Sequence, residues 1–209
     1  MPSVVSREAW QPSGPVESRS PVTTIQSEDP VARSVFNWVE SVVVGLNLCP
    51  FAKRELVGDR IRVAVSNATR PEAILTDLEV EIERLLDDES VETTLLVLSD
   101  ALQDFPDFNQ FLALGDGLLE QMGLTGVFQI AHFHPAYQFA GTGPDDAENY
   151  TNRSPYPMLH LLRERSLDRV LRTTEHAEQI PVRNIELMNQ LGADDMRARL
   201  AKCLVGGDS

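Results

Sequence analysis

The stretch Thr93-Thr-Leu-Leu-Val-Leu98 decides the fold. Six successive β-branched or apolar residues, with no charge at any alternate position, read as a strand covered on both faces. A strand of that kind needs a helical layer on each side, and the flanking sequence supplies the helices.

Upstream, Thr69 and Glu72 have the spacing of a capping box with Pro71 in the first turn, and Ile74, Leu75, Leu78, Ile82, Leu85 and Leu86 form an apolar stripe, predicting a helix to about Asp87. Before it, Ile61, Val63 and Val65 alternate with Arg62, Ala64 and Ser66, the period of a strand with one face more exposed. Downstream, Asp104 and Pro106 open a helix whose stripe is Phe108, Phe111, Leu112, Leu118, Leu119 and Met122, and Gly123 closes it. Val127 to Phe133 reads as a third strand. The order β-α-β-α-β, with helices long enough to cross a sheet, predicts parallel strands and right-handed crossovers in an α/β fold.

Around this unit, Val31, Val35, Trp38, Val39, Val42 and Leu46 recur at helical spacing behind Asp29 and Pro30, and the helix stops before Pro50. Ser154-Pro155 reads as a further helix start, with Met158, Leu161 and Leu162 on one side. More C-terminal helices are expected around Leu167–Arg172, Val182–Leu191 and Asp194–Leu204. Residues 1–27, with six Ser and four Pro and no apolar period, read as a disordered tail; 28–204 reads as one globular domain and 205–209 as a short tail.

Composition narrows the partners. With 32 acidic and 18 basic residues the net charge is −14, which repels nucleic-acid backbones and anionic membrane surfaces. No run of about 18 apolar residues predicts a membrane span, and Glu8 and Glu17 count against a transit peptide. Only Cys49 and Cys203 are present, far apart, a usage that suits a reducing cytoplasm.

Three of the four histidines and all three tyrosines fall within residues 132–160. Parallel sheets bind ligands beyond the carboxyl ends of their strands, and this segment leaves the third strand at that rim, beside Ser66, Asn67, Ser99 and Asp100. His134, held before Pro135 at a strand end, is the first candidate for proton transfer; its bland reading is a histidine bonded to a loop carbonyl. His132 and His134 form an H-x-H pair that could ligate zinc if Asp145, Asp146, Glu148 or His160 completed the set, but the spacing matches no firm zinc pattern and no metal is assigned. Asn152, Arg153 and Ser154 would offer a guanidinium and a helix start to an anion, with Tyr137 beside them; equally, Arg153 could pair with Asp145 or Asp146. Cys49, near Lys53 and Arg54, could be a nucleophile or a core thiol. Asp146 and His160 are expected to line the same cleft.

GLNLCPFAKR at Gly45–Arg54, FHPAYQFAGT at Phe133–Thr142 and DDAENYTNRSPYPMLHLLRE at Asp145–Glu164, with Asp104–Asn109, resemble the bacterial and plant family catalogued as domain of unknown function 1415, over roughly residues 30–192. The resemblance implies neither a reaction nor catalytic residues. The family's segment carries serine before Phe-His-Pro where this chain has His132, which weakens the H-x-H reading.

The sequence favours a small-molecule enzyme, hydrolase or transferase, acting on an anionic metabolite through His134, Cys49, Asp146 and His160, with no cofactor specified. Hydride transfer is disfavoured because no glycine-rich dinucleotide fingerprint follows the first strand. The rivals are a ligand-binding or interaction protein in which the polar cluster only orders a loop and, more weakly, a metal- or thiol-dependent redox protein using Cys49.

Overall fold

The computed structural model describes residues 28–206. The expected tail at 1–27 and the last three residues of the one expected at 205–209 lie outside them.

Helix α1 (Pro30–Trp38) starts where Asp29 caps it, the carboxylate accepting the Val31 N–H at 2.7 Å, with Pro30 in the first turn. From Val39 to Val44 the helix continues with π winding, in which the Gly45 and Leu48 N–H groups reach back five residues to Glu40 and Val43. Gly45 permits this closure, since a Cβ there would sit 2.3 Å from the Ser41 carbonyl oxygen. Next come α2 (Ala52–Val57), β1 (Ile61–Ser66), α3 (Pro71–Asp87), β2 (Thr93–Leu98), α4 (Phe105–Gln121) and β3 (Phe128–Phe133). The β-α-β-α-β order is therefore present. Its one local departure is the capping box, because Arg70 rather than Thr69 occupies the N-cap and no side chain caps the helix. Pro71 explains the shift: it holds the preceding residue extended and removes one of the N–H groups a cap would satisfy.

Strands β1 and β2 pair in parallel. The fourth strand, β4 (Met158–Arg163), then inserts antiparallel between β2 and β3, giving the order β1-β2-β4-β3. The sheet is thus mixed, while β1, β2 and β3 share one direction. The helix expected from Ser154-Pro155 is absent, and its apolar positions belong to β4. Met158, Leu161 and Leu162 fit a helical stripe equally well, but a short, mostly apolar run preceded by Pro155 and Pro157 cannot be assigned by periodicity. Buried on both faces and bonded on both edges, MLHLLR satisfies its backbone better as a central strand.

Each face carries its own core. On one, Ile61, Val63, Leu95, Val97 and Met158 meet Val35, Trp38, Val39 and Val42, together with Met188 of α6 (Ile180–Leu191) and Met196 and Cys203 of α7 (Ala193–Cys203). On the other, Ala64, Leu96, Leu98, Leu159, Leu161 and Phe128 meet Ile74, Leu78, Ile82 and Leu85 of α3 and Phe108, Phe111 and Leu119 of α4. Fully burying one such side chain is worth about 1.5–3 kcal/mol, so these two layers dominate stability. The second face of β1, expected to be more exposed, is covered by α3. Arg62 lies on it because Glu81 takes its guanidinium through two bonds, 2.6 and 2.9 Å. After β4 the chain turns into α5 (Glu164–Thr173), and the C-terminal helices occur where their periodicity placed them. Among the described residues no helix is long and apolar enough to cross a membrane.

Candidate functional site

Because β1, β2 and β3 point the same way, Ser66, Leu98 and Phe133 end at a common rim, and residues 134–157 form a long return loop from β3 to β4 there. The rim polar groups are largely committed to one another. The Ser66 hydroxyl donates to Asp77 at 2.6 Å, and the Ser99 hydroxyl and amide both donate to the Ser66 carbonyl.

His134 is fully buried, its ring against Phe105 and Phe108 with centroids 5.3 and 5.0 Å away. Its Nδ1 accepts the Ala136 N–H at 3.0 Å, which leaves the ring proton on Nε2, 3.1 Å from the Leu102 carbonyl oxygen. Burial lowers its pKa, against the opposing pull of that carbonyl and Asp104. The neutral ring is therefore saturated. Leu102 has φ +54°, a left-handed conformation costly for an aliphatic residue, so His134 fastens a strained turn between β2 and α4.

The other candidates around the loop are bound to its own backbone. Arg153 donates from Nε to the Tyr137 carbonyl at 3.1 Å and from Nη2 to the Pro144 carbonyl at 2.6 Å, and its guanidinium lies 4.6 Å from the Tyr150 ring centroid. It forms no pair with Asp145 or Asp146; Asp145 instead faces Arg197 at 3.5 Å, and Asp146 accepts the Gly143 N–H at 2.7 Å. Ser154 is buried with its hydroxyl on the Tyr156 carbonyl, 2.7 Å away, and precedes a strand, so no helix dipole faces a ligand there. Asn152 extends the β3–β4 ladder: its carbonyl accepts the His134 N–H and its side chain donates to the His132 carbonyl, each at 3.2 Å. Tyr137 is packed among His132, Phe105 and Phe139, and burial raises its pKa.

His160 and Cys49 stand elsewhere. His160 lies in mid-strand opposite Leu95 and Ala131, on the face away from α4, where Phe133 is its ring neighbour. The Thr93 hydroxyl donates to the Leu161 carbonyl at 2.6 Å, so His160 Nε2, 2.7 Å from the Thr93 hydroxyl oxygen, must donate to that hydroxyl. Burial pushes the imidazole down to about 4. Cys49, half-buried between the π turn and α2, has its thiol pushed up by burial, and its loop is tied to α6 through Asn184 on the Leu48 carbonyl at 2.8 Å. No side-chain hydrogen bond, ion pair or ring contact joins Cys49, His134, Arg153 and His160 to one another. His132 does share the α4 side with His134, stacked on Tyr137 with its Nδ1 buried and without a hydrogen-bond partner among the described residues, and burial lowers its pKa. Among the described residues no group of three His, Cys, Asp or Glu side chains is placed to hold a metal ion.

Two residues escaped sequence reasoning. Asn149, fully buried, organises the return loop: its Oδ1 accepts from the Phe139 N–H and the Thr142 hydroxyl, and its Nδ2 donates to the Gly143 carbonyl, at 2.8–3.0 Å. No periodicity signals such a role. Arg163, closing the apolar run of β4, was legible only as a cation at the end of an unusually apolar strand.

A family model described as "Protein of unknown function (DUF1415)" matches residues 30–198. The chain belongs to this family. No curated protein and no solved structure matches it. Within the matched residues, the FHPAYQFAGT and NYTNRSPYP segments of this chain tie the rim loop together through His134, Asn149 and Arg153.

Replacing His134 with Ala leaves the Leu102 carbonyl and the Ala136 N–H unpaired and opens a void beside Phe105 and Phe108. Urea unfolding should show a loss of about 3 kcal/mol; an unchanged midpoint would contradict this role. His160 sets a pH dependence of definite sign. Its folded pKa, about 4, lies below the ordinary 6.5, so the unfolded chain takes up the proton first and stability falls as pH drops from about 6.5 through 4. The decline amounts to up to about 3 kcal/mol. His160→Gln should flatten most of that profile in unfolding measured across the window, and an equally steep profile in the variant would refute the assignment.

Proposed function

We propose that this protein binds a small ligand or partner without transforming it, and that the histidine-rich loop is scaffold. One observation carries the reading: both ring nitrogens of His134 are engaged by backbone groups, so the residue best placed for proton transfer has no free lone pair. The commitment of Arg153 to two carbonyls, and of His160 to Thr93 on the other face, supports it. The unpaired cysteines suit a reducing compartment.

The competing reading makes the rim a hydrolase or transferase centre for an anionic metabolite, with His134 moving the proton. Equilibrium dialysis of the protein against a metabolite extract, followed by mass spectrometry over time, separates the two. Binding predicts that particular compounds concentrate in the protein compartment while their total amounts stay constant. Steady conversion of a compound, abolished in His134→Gln while the melting temperature is preserved, would overturn the proposal in favour of catalysis.

A further inference from the structure

The opposite rim carries a different arrangement. There, Arg163 at the end of β4, Arg165 and Glu89 meet Leu86, Gly126 and Val127 around a groove of about 350 Å³, at the lower end of the range for small-molecule sites. Arg163 is only 6% exposed. Its Nη2 points at the Leu85, Asp88 and Val91 carbonyls, closing the C-terminal end of α3, and its guanidinium lies 5.6 Å from the Phe128 ring centroid. Nε and Nη1 make no hydrogen bond among the described residues, and no carboxylate there comes within 4.0 Å of the guanidinium. A buried cation is ordinarily paired or fully hydrogen-bonded. Burial depresses the pKa of this one, which the more distant Glu92, Glu89 and Asp88 only partly offset.

Arg165 adds a second positive charge. Its side chain is 61% exposed and touches Glu89, itself 82% exposed, at a loose 3.7 Å. Two guanidiniums against one carboxylate make the lining net positive in a chain of net charge −14. Leu86 and Val127, 45% and 44% exposed, add an apolar wall. Resting on the reading that the protein binds rather than transforms, we propose that this groove binds an organic oxyanion, a carboxylate or phosphate ester, whose charged end meets Arg163 and Arg165 and whose apolar body lies on Leu86 and Val127.

The test titrates isotope-labelled full-length protein with sodium hexanoate and, separately, hexyl phosphate, observing the arginine Nε–H resonances, with sodium chloride of equal ionic strength as reference. A saturable shift of the Arg163 Nε–H with either probe supports the site, and the tighter probe identifies the head group. Arg163 itself is left intact because it closes α3. Arg165→Gln, a surface change, should weaken binding about tenfold, the loss of one charge-assisted contact, whereas Glu89→Gln should strengthen it. Shifts matching those in sodium chloride, or affinities unmoved by both variants, would overturn the groove as an anion site while leaving the scaffold role of His134 to stand on its own measurements. Chemical conversion of a probe would instead count against the binding reading itself.

Discussion

The structure depends on β4 entering between β2 and β3. Two strands that run in the same direction as parts of a β-α-β crossover would ordinarily lie side by side, yet here a strand from later in the chain separates them and bonds to both. Met158 to Leu162 of β4 therefore each have a neighbour on both edges, and the strand has a helical or apolar layer on each face, which is why MLHLLR is almost wholly buried. The insertion also fixes the return path. Because β4 begins antiparallel at the rim where β3 ends, the whole connection stays at that rim, and residues 134–157 form it.

A loop of that length has many backbone donors and acceptors and little regular structure to satisfy them. The chain meets this demand with side chains. Asn149, Arg153, Asp146, Asn152 and His134 each bond to backbone groups of the loop or its neighbours. This accounts for the concentration of polar residues there without invoking a reaction, since a buried polar network stabilises when it is fully satisfied. The same logic sets Arg163 apart. Its Nη2 performs the same kind of service at the end of α3, but Nε and Nη1 make no hydrogen bond among the described residues, and the guanidinium lies beside a groove.

Helices α1, α3 and α4 and strand β1 were legible because their signals are periodic or capped: the stripes of α3 and α4, the alternation of β1, the caps at Asp29 and Asp104; β2 was read from its unbroken apolar run, and the short helix α2 was not anticipated. β4 was not, because four apolar residues in a six-residue segment carry no usable period and Ser154-Pro155 imitates a helix start; the decisive information lay in two partner strands far away in sequence. At the rim, the sequence located the loop correctly, since the three strands do share a direction. It could not show whether the polar side chains face a ligand or the chain's own carbonyls. His134 illustrates the difference: its position at a strand end before Pro135 was readable, while its two partners, Leu102 and Ala136, emerge only after folding.

His134 is a neutral fastener with its proton on Nε2. Long-range nitrogen–proton correlation spectra of the imidazole, recorded as pH is lowered from neutrality, test this assignment most directly. A pyrrole-like Nε2 and a pyridine-like Nδ1 should persist below the ordinary histidine pKa of about 6.5. A ring that carries its proton on Nδ1, or that titrates freely near that value, would contradict it.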